Sequence, residues 1–271
     1  MQEIVETGTG TSLAVETVGE GETLLLIQGM SGHGGMWGPA LVDELARDFE
    51  VVTYDHRGIG ESARAEDPFS IVDLADDAAG LLAALGRDSA HVMGISMGGM
   101  VAQELALRSP DRVRSVTFGC TTPGGPGAFD APGPGRMVEA IGTRDPEHAT
   151  RVGFEVNVSA EFASRAGELD RFRETSLARR VPFPVVVQQS VACLEHDASA
   201  RLGGLHLPVA VVHGEEDQMI LAAEGERLAE LVPGAELHLW PGVGHLFWWE
   251  RPAETAAVVR RLAARAATTE G

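Results

Sequence analysis

Apolar positions along the chain follow two alternating rhythms. Thr23 to Gln28, Phe49 to Tyr54, Ala90 to Ile95, Arg112 to Gly119 and Val209 to His213 are short apolar runs bounded by glycine or turn residues, the pattern of strands buried on both faces of a parallel sheet. Glu236 to Trp240 adds another. Between these runs lie stretches with helical apolar spacing: Trp37 to Asp48, Ile71 to Leu85 closed by Gly86, Met97 to Arg108, Ala222 to Leu231, and Pro252 to Ala266 with proline in its first turn. Strand and helix in this alternation predict an α/β fold, a mostly parallel central sheet covered on both sides, with ligands bound beyond the carboxyl ends of the strands. Ahead of it, Glu3 to Thr7 and Ser12 to Val18 flank Gly8-Thr9-Gly10-Thr11 and predict a hairpin at the sheet's edge.

The rhythm breaks after Cys120. Thr121 to Gly135 is rich in proline and glycine, and from Arg136 to about Leu202 the pattern is helical or irregular. Strand spacing resumes at Leu207. The expectation is one domain with an insertion: residues 1–120 the first part of the core, 121–205 a helical lid over the sheet's carboxyl edge, and 206–271 the second part. Phe129, Met137, Phe154, Phe162, Phe172 and Phe183 in the insertion either face a pocket or pack against one another.

Chemistry enters at the ends of the predicted strands. Gly94-Ile95-Ser96-Met97-Gly98-Gly99 runs from a strand into a helix, the order a nucleophile elbow requires, because its glycines let a sharp turn close and lift the serine hydroxyl into the open. The backbone N–H of Met97, at the start of the helix, then points where an oxyanion would form. A serine hydroxyl needs a base, and that base needs a carboxylate to fix its tautomer. Two later loops supply both. Gly214-Glu215-Glu216-Asp217 follows one strand and Gly242-Val243-Gly244-His245 the next, so the order is Ser96, Asp217, His245. Asp217 competes here with Glu215 and Glu216. The other position open to the acid, after the strand ending at Gly119, holds only Cys120 and Thr121.

With these motifs in order, the chain resembles the α/β-hydrolase superfamily over nearly its whole length, in the branch of esterases, lactonases and haloperoxidase-like proteins. The matching residues are the Gly94 to Gly99 elbow, the Asp55-x-Arg57-Gly58-x-Gly60-x-Ser62 loop, Gly214-x-x-Asp217, and Gly244-His245 followed by Glu250-x-Pro252. The resemblance implies Ser96 as nucleophile, His245 as general base and Asp217 as acid, with the backbone N–H groups of Met30 and Met97 as the oxyanion hole. It implies no cofactor. One departure stands out: where the family carries His-Gly, this chain has Gln28-Gly29, and Met30 still follows with its backbone N–H.

Composition narrows the reaction further. All 21 basic residues are arginine, which removes Schiff-base lysines, pyridoxal phosphate anchors and phosphate-binding loops that need lysine. A net charge of -19 argues against nucleic acid and anionic membranes as partners. Cys120 and Cys193 read as buried free thiols, and the remaining histidines lack paired metal spacing, so no metal is implied. The N-terminus shows no signal-peptide pattern and no apolar run is long enough to span a membrane, which predicts a soluble, cytoplasmic protein. No signal for an oligomeric state is present.

The expected activity is therefore a serine hydrolase acting through an acyl-enzyme on Ser96. Trp37, Phe129, Phe154, Leu246 and Phe247 are the expected apolar contacts of a small ester or lactone. Perhydrolase (haloperoxidase-like) chemistry or C–C bond hydrolysis would reuse the same triad, and a ligand-binding protein on the scaffold is the non-catalytic alternative. Arg57 and His56 are expected to brace the loop beneath the site and His213 to be a buried structural residue. His33, in the oxyanion loop, is expected as a mobile surface histidine, with contact to substrate as the alternative.

Overall fold

The computed structural model of the protein describes residues 2–269. Strands β1 (Gln2–Glu6) and β2 (Ser12–Val18) form the edge hairpin, followed by β3 (Glu22–Ile27), α1 (Pro39–Leu45), β4 (Phe49–Tyr54), α2 (Ile71–Ala84), β5 (Ala90–Ile95), α3 (Met97–Arg108) and β6 (Val113–Gly119). The next segment is helical: α4 (Pro132–Gly142), α5 (Pro146–Glu155), α6 (Ala160–Ala163), α7 (Glu168–Leu177) and α8 (Phe183–Glu195). Then come β7 (Val209–Gly214), α9 (Ala222–Leu231), β8 (Glu236–Trp240), α10 (Phe247–Glu250) and α11 (Pro252–Thr269). The strands form one sheet in the order β1-β2-β4-β3-β5-β6-β7-β8, parallel from β4 onward and antiparallel where β2 meets β1 and β4.

Burial on both faces explains the unbroken apolar runs. In β3, Leu25 and Ile27 join the core under α2, α3, α8 and α9, while Leu24 and Leu26 join the opposite core under α1 and α11. All four side chains are fully buried, each worth about 2 kcal/mol of transfer free energy. The helix expected from Trp37 to Asp48 is shorter. A 3₁₀ turn over Gly34–Trp37 comes first, and Gly38, at φ 71°, breaks the backbone before Pro39 restarts it as α1.

The inserted segment shares these cores. Val185, Ala192 and Cys193 of α8 belong to the first, Phe154, Val158 and Phe162 to the second, and only Ala140, Val152 and Val156 form a small cluster of their own. Hydrogen bonds tie it to the loops at the carboxyl ends of the strands. Gly60 N donates to Arg180 O, Leu246 N to Asn157 O, and Gly133 N to Gln218 O. Phe154 stacks at 5.4 Å from Phe172, and Phe129 packs partly buried on the first core. Phe183 corrects the sequence reading: it is 68 % exposed and stands apart from the ring contacts that Phe154 makes with Phe162 and Phe172. Among the described residues no helix is long and apolar enough to cross a membrane.

Candidate active site

Ser96 closes the turn between β5 and α3 with φ 54° and ψ −123°, a region L-residues avoid. The surrounding structure over-determines it. A Cβ on Gly98 would lie 2.1 Å from Ile27 O, and one on Gly94 would lie 2.1 Å from Gly98 O, so no other residue fits at either position. From Ala90 to Ala106 every residue is buried except Ser96. Its backbone is held by Gly119 O, which accepts from Ser96 N at 2.9 Å, and by Thr121 Oγ1, which donates to Ser96 O at 2.7 Å.

Of the three acidic residues in the turn after β7, Asp217 is the one that lies against His245. Asp217 Oδ1 accepts from the backbone N–H groups of Met219 (2.7 Å) and Ile220 (3.0 Å), which fixes the side chain and frees Oδ2. Oδ2 lies 2.7 Å from His245 Nδ1 and 3.1 Å from His213 Nε2. Glu215 and Glu216 use their backbone N–H groups on Trp240 O and Val243 O, and the Glu216 side chain turns to Ala160 N. Burial works against ionising Asp217, but the two imidazoles outweigh it and hold the carboxyl well below the usual carboxylate range. Because Nδ1 of His245 faces an ionised carboxylate, it carries the proton, and Nε2 is left as a base.

Cys120 links this pair to the elbow. Its backbone, at φ 39°, turns a fully buried thiol against the Ser96 backbone. Its Sγ, an Asp217 oxygen and a His245 ring nitrogen all lie within 4.8 Å of one another. The structure thus brings residues 96, 217 and 245 to one place. Among the described residues the Ser96 hydroxyl makes no hydrogen bond, so it is not engaged with the imidazole; such contacts commonly tighten only around substrate. Neither contact shows in the sequence: Cys120 carries no carboxylate, and the apolar run ending at His213 does not mark it as a partner of Asp217.

The loop after β3 carries the other N–H. Neither Met30 N nor Met97 N has a hydrogen-bond partner among the described residues. Gln28, in place of the expected histidine, folds back so that Oε1 accepts from Gly29 N at 3.2 Å. His56 Nε2 lies 2.9 Å from Gln28 O, and Ser31, at φ 59°, donates its N–H to Gln189 Oε1 of α8 at 2.9 Å. His33 is a correction: it is fully buried with Nε2 2.9 Å from Thr175 O, and burial lowers its pKa. Arg57 grips the buried Asp77 through two contacts of 2.7 Å, as expected of a brace. Glu250 explains its motif by accepting from both Gly244 N (2.8 Å) and Ser159 N (3.0 Å), which ties the His245 loop to the insertion.

Of the expected apolar contacts, Trp37 packs 5.4 Å from Trp248, and Phe247 is fully buried edge-on to Trp240 and Trp248. Leu246 and Phe154 lie in the same core beside the His245 loop.

A strained serine on a strand-turn-helix at the carboxyl edge of a parallel sheet, with a His–Asp pair on two later loops, defines the class: a hydrolase on a doubly covered sheet. The chain belongs to the α/β-hydrolase fold family, whose profile matches residues 22–252. It is an enzyme of that family. A Caulobacter protein named as carbamate hydrolase RutD is 32% identical over 256 residues, which span 91% of this chain and 92% of that one. Among solved structures, a thermophilic esterase from Thermogutta terrifontis matches with TM-score 0.82 at 26% identity, over 98% of this chain and 99% of that one. An enol-lactonase from Burkholderia xenovorans matches with TM-score 0.83 at 25% identity, over 97% of this chain and 100% of that one.

Proposed function

We propose that the protein hydrolyses a carboxylic ester or lactone of a small apolar substrate through an acyl-enzyme on Ser96. His245 Nε2 takes the Ser96 proton as Oγ attacks the carbonyl, and Asp217 steadies the imidazolium that forms. The N–H groups of Met30 and Met97 receive the oxyanion. His245 then returns the proton to the leaving oxygen, and a water activated by the same nitrogen releases the acyl group. The observation that carries this reading is the 2.7 Å contact of His245 Nδ1 with a buried Asp217, which leaves Nε2 free to act as a base, together with a Ser96 that is the one partly exposed residue of the elbow.

Met30, partly exposed beside its own N–H, and Leu246, next to His245, favour an apolar acyl or alcohol moiety. Residues 121–205 are read as the lid over them, supported by their hydrogen bonds to the loops bearing Met30 and His245. A carbamate is the second reading, favoured by the RutD likeness, since the same attack on a carbamoyl carbonyl needs no further group.

The test is a panel of p-nitrophenyl esters of rising chain length, lactones and carbamates, with Ser96→Ala alongside and a fluorophosphonate probe. Turnover of an ester or lactone, lost in Ser96→Ala together with probe labelling, is the expected result. Undiminished hydrolysis by Ser96→Ala would sink the proposal, and turnover of carbamates alone would select the second reading.

A further inference from the structure

α8 is apolar on two faces. Val185, Gln189, Ala192 and Cys193 turn inward and are buried. Phe183, Val187, Val191 and Leu194, spaced by four, four and three residues, form a second stripe that stands 46 to 68 % exposed. No charged residue interrupts the helix between Phe183 and Leu194. Single exposed apolar side chains are ordinary, but a continuous stripe marks a contact surface.

The charges at its ends identify the occupant. Arg180 precedes the stripe and Glu195 follows it; both are exposed, and neither side chain has an ion-pair or hydrogen-bond partner among the described residues. Arg180 with Glu195, and Phe183 with Leu194, are each centred within one residue of Gln188. A stripe with apolar residues placed evenly about a midpoint and opposite charges at its two ends is complementary to itself turned end for end.

We propose that a second copy of this chain docks here, with α8 packed antiparallel on its counterpart about a two-fold axis near Gln188. Such an axis makes each contact twice, Arg180 of one chain on Glu195 of the other and the reverse. The helix dipole favours the same arrangement. Glu195 is the last residue of α8, where negative charge is unfavourable, and the antiparallel partner brings a guanidinium to that end. An anionic lipid surface is the poorer occupant for a chain of net charge -19. The 13-residue helix is about 20 Å long, so the contact is smaller than a typical stable interface and suits a micromolar dimer. The inner face of the same helix holds Ser31 through Gln189, so the dimer braces the helix that supports the Met30 loop.

Sedimentation velocity of the full chain across the micromolar range tests this, with circular dichroism confirming that each variant folds. The wild type is expected to shift from monomer to dimer. Val191→Asp should remain monomeric, and Arg180→Glu or Glu195→Arg should each weaken dimerisation about tenfold or more, since each places like charges together twice. Mixing the two single variants, or combining both changes in one chain, should restore the dimer because opposite charges again face each other. A wild type that stays monomeric throughout, a dimer indifferent to Val191→Asp, or a charge exchange that fails to restore pairing overturns the proposal. So does a monomer that floats with phosphatidylcholine vesicles through this stripe, which would assign the face to lipid.

Discussion

His213 Nε2 lies 3.1 Å from Asp217 Oδ2, the same oxygen that takes His245 Nδ1 at 2.7 Å. The His213 nitrogen also faces Ile220 O at 2.9 Å, and with an acceptor on each side it must carry the proton. Asp217 is therefore held by two imidazoles and two backbone N–H groups. His213 is itself fully buried within β7.

His213→Phe removes one hydrogen bond to a buried charge, worth about 1.5–3 kcal/mol, so kcat is expected to fall roughly 10- to 100-fold with KM little changed. Asp217→Asn, which also loses the charge that stabilises the imidazolium, is expected to cost about 10⁴-fold. Steady-state kinetics on a p-nitrophenyl ester decides this, and an unchanged kcat in His213→Phe would show that His213 is packing alone.

The low Asp217 pKa sets a sign for acid stability. Its folded-state value lies below the unfolded value of about 3.9, so ionised Asp217 stabilises the fold above that pH, and the contribution is lost as pH falls through the folded value. Urea midpoints of wild type and Asp217→Asn should differ by a constant amount from neutrality to about pH 5 and converge below about pH 4. A gap that persists unchanged to pH 3 contradicts the assignment.

Both cysteines should be silent in the native state. Burial pushes the Cys193 thiol up to about 12, and burial with the nearby Asp217 charge raises Cys120 well above the ordinary range. Ellman's reagent at pH 8 is expected to label neither until denaturant is added, when both react. Labelling of the folded chain at Cys120 would mean that the floor beneath Ser96 opens to solvent.

The sheet was legible because period and burial coincide: Leu24 to Ile27 reads as a strand covered twice, and it is one. The meeting of Asp217 with His245 was legible because each residue follows a strand, and strand ends in a parallel sheet converge. What could not be read is where long-range contacts decide. His33 looked like a surface residue among glycines, yet Thr175, far along the chain, buries it. Glu250 reveals its purpose only when Gly244 and Ser159 meet on one carboxylate. Phe183 has the composition of a core residue and lies outside, because α8 spends its inner face on Val185, Gln189 and Cys193.

Strain at Ser96 predicts opposite responses in function and stability. Holding a side chain at φ 54° and ψ −123° costs about 1–3 kcal/mol, which glycine relieves at an entropic cost of roughly 0.5–1 kcal/mol. Ser96→Gly is therefore expected to raise Tm by about 2–4 °C while removing turnover. Ser96→Ala keeps the Cβ and the strain, so its Tm should stay near wild type. Calorimetry of the two variants checks this, and a Tm that falls in Ser96→Gly would mean that the turn is unstrained.

Gln189 connects the inserted helices to the loop that bears Met30. Its Oε1 is the acceptor for Ser31 N, in a residue at φ 59°, and the neighbouring N–H is the one assigned to the oxyanion. Gln189→Leu keeps the volume but removes the acceptor that anchors Ser31 N, a net loss of about 0.5–1.5 kcal/mol that frees the loop to move. The move displaces Met30 N, and loss of an oxyanion donor costs at most about 10²- to 10³-fold in kcat. A fall of tenfold or more in kcat, with KM nearly unchanged, is expected for Gln189→Leu. Gln189→Glu retains an oxygen for Ser31 N while burying a charge, so it should lower Tm yet keep kcat closer to wild type. If both variants lose kcat equally, volume rather than the acceptor oxygen is what Gln189 contributes.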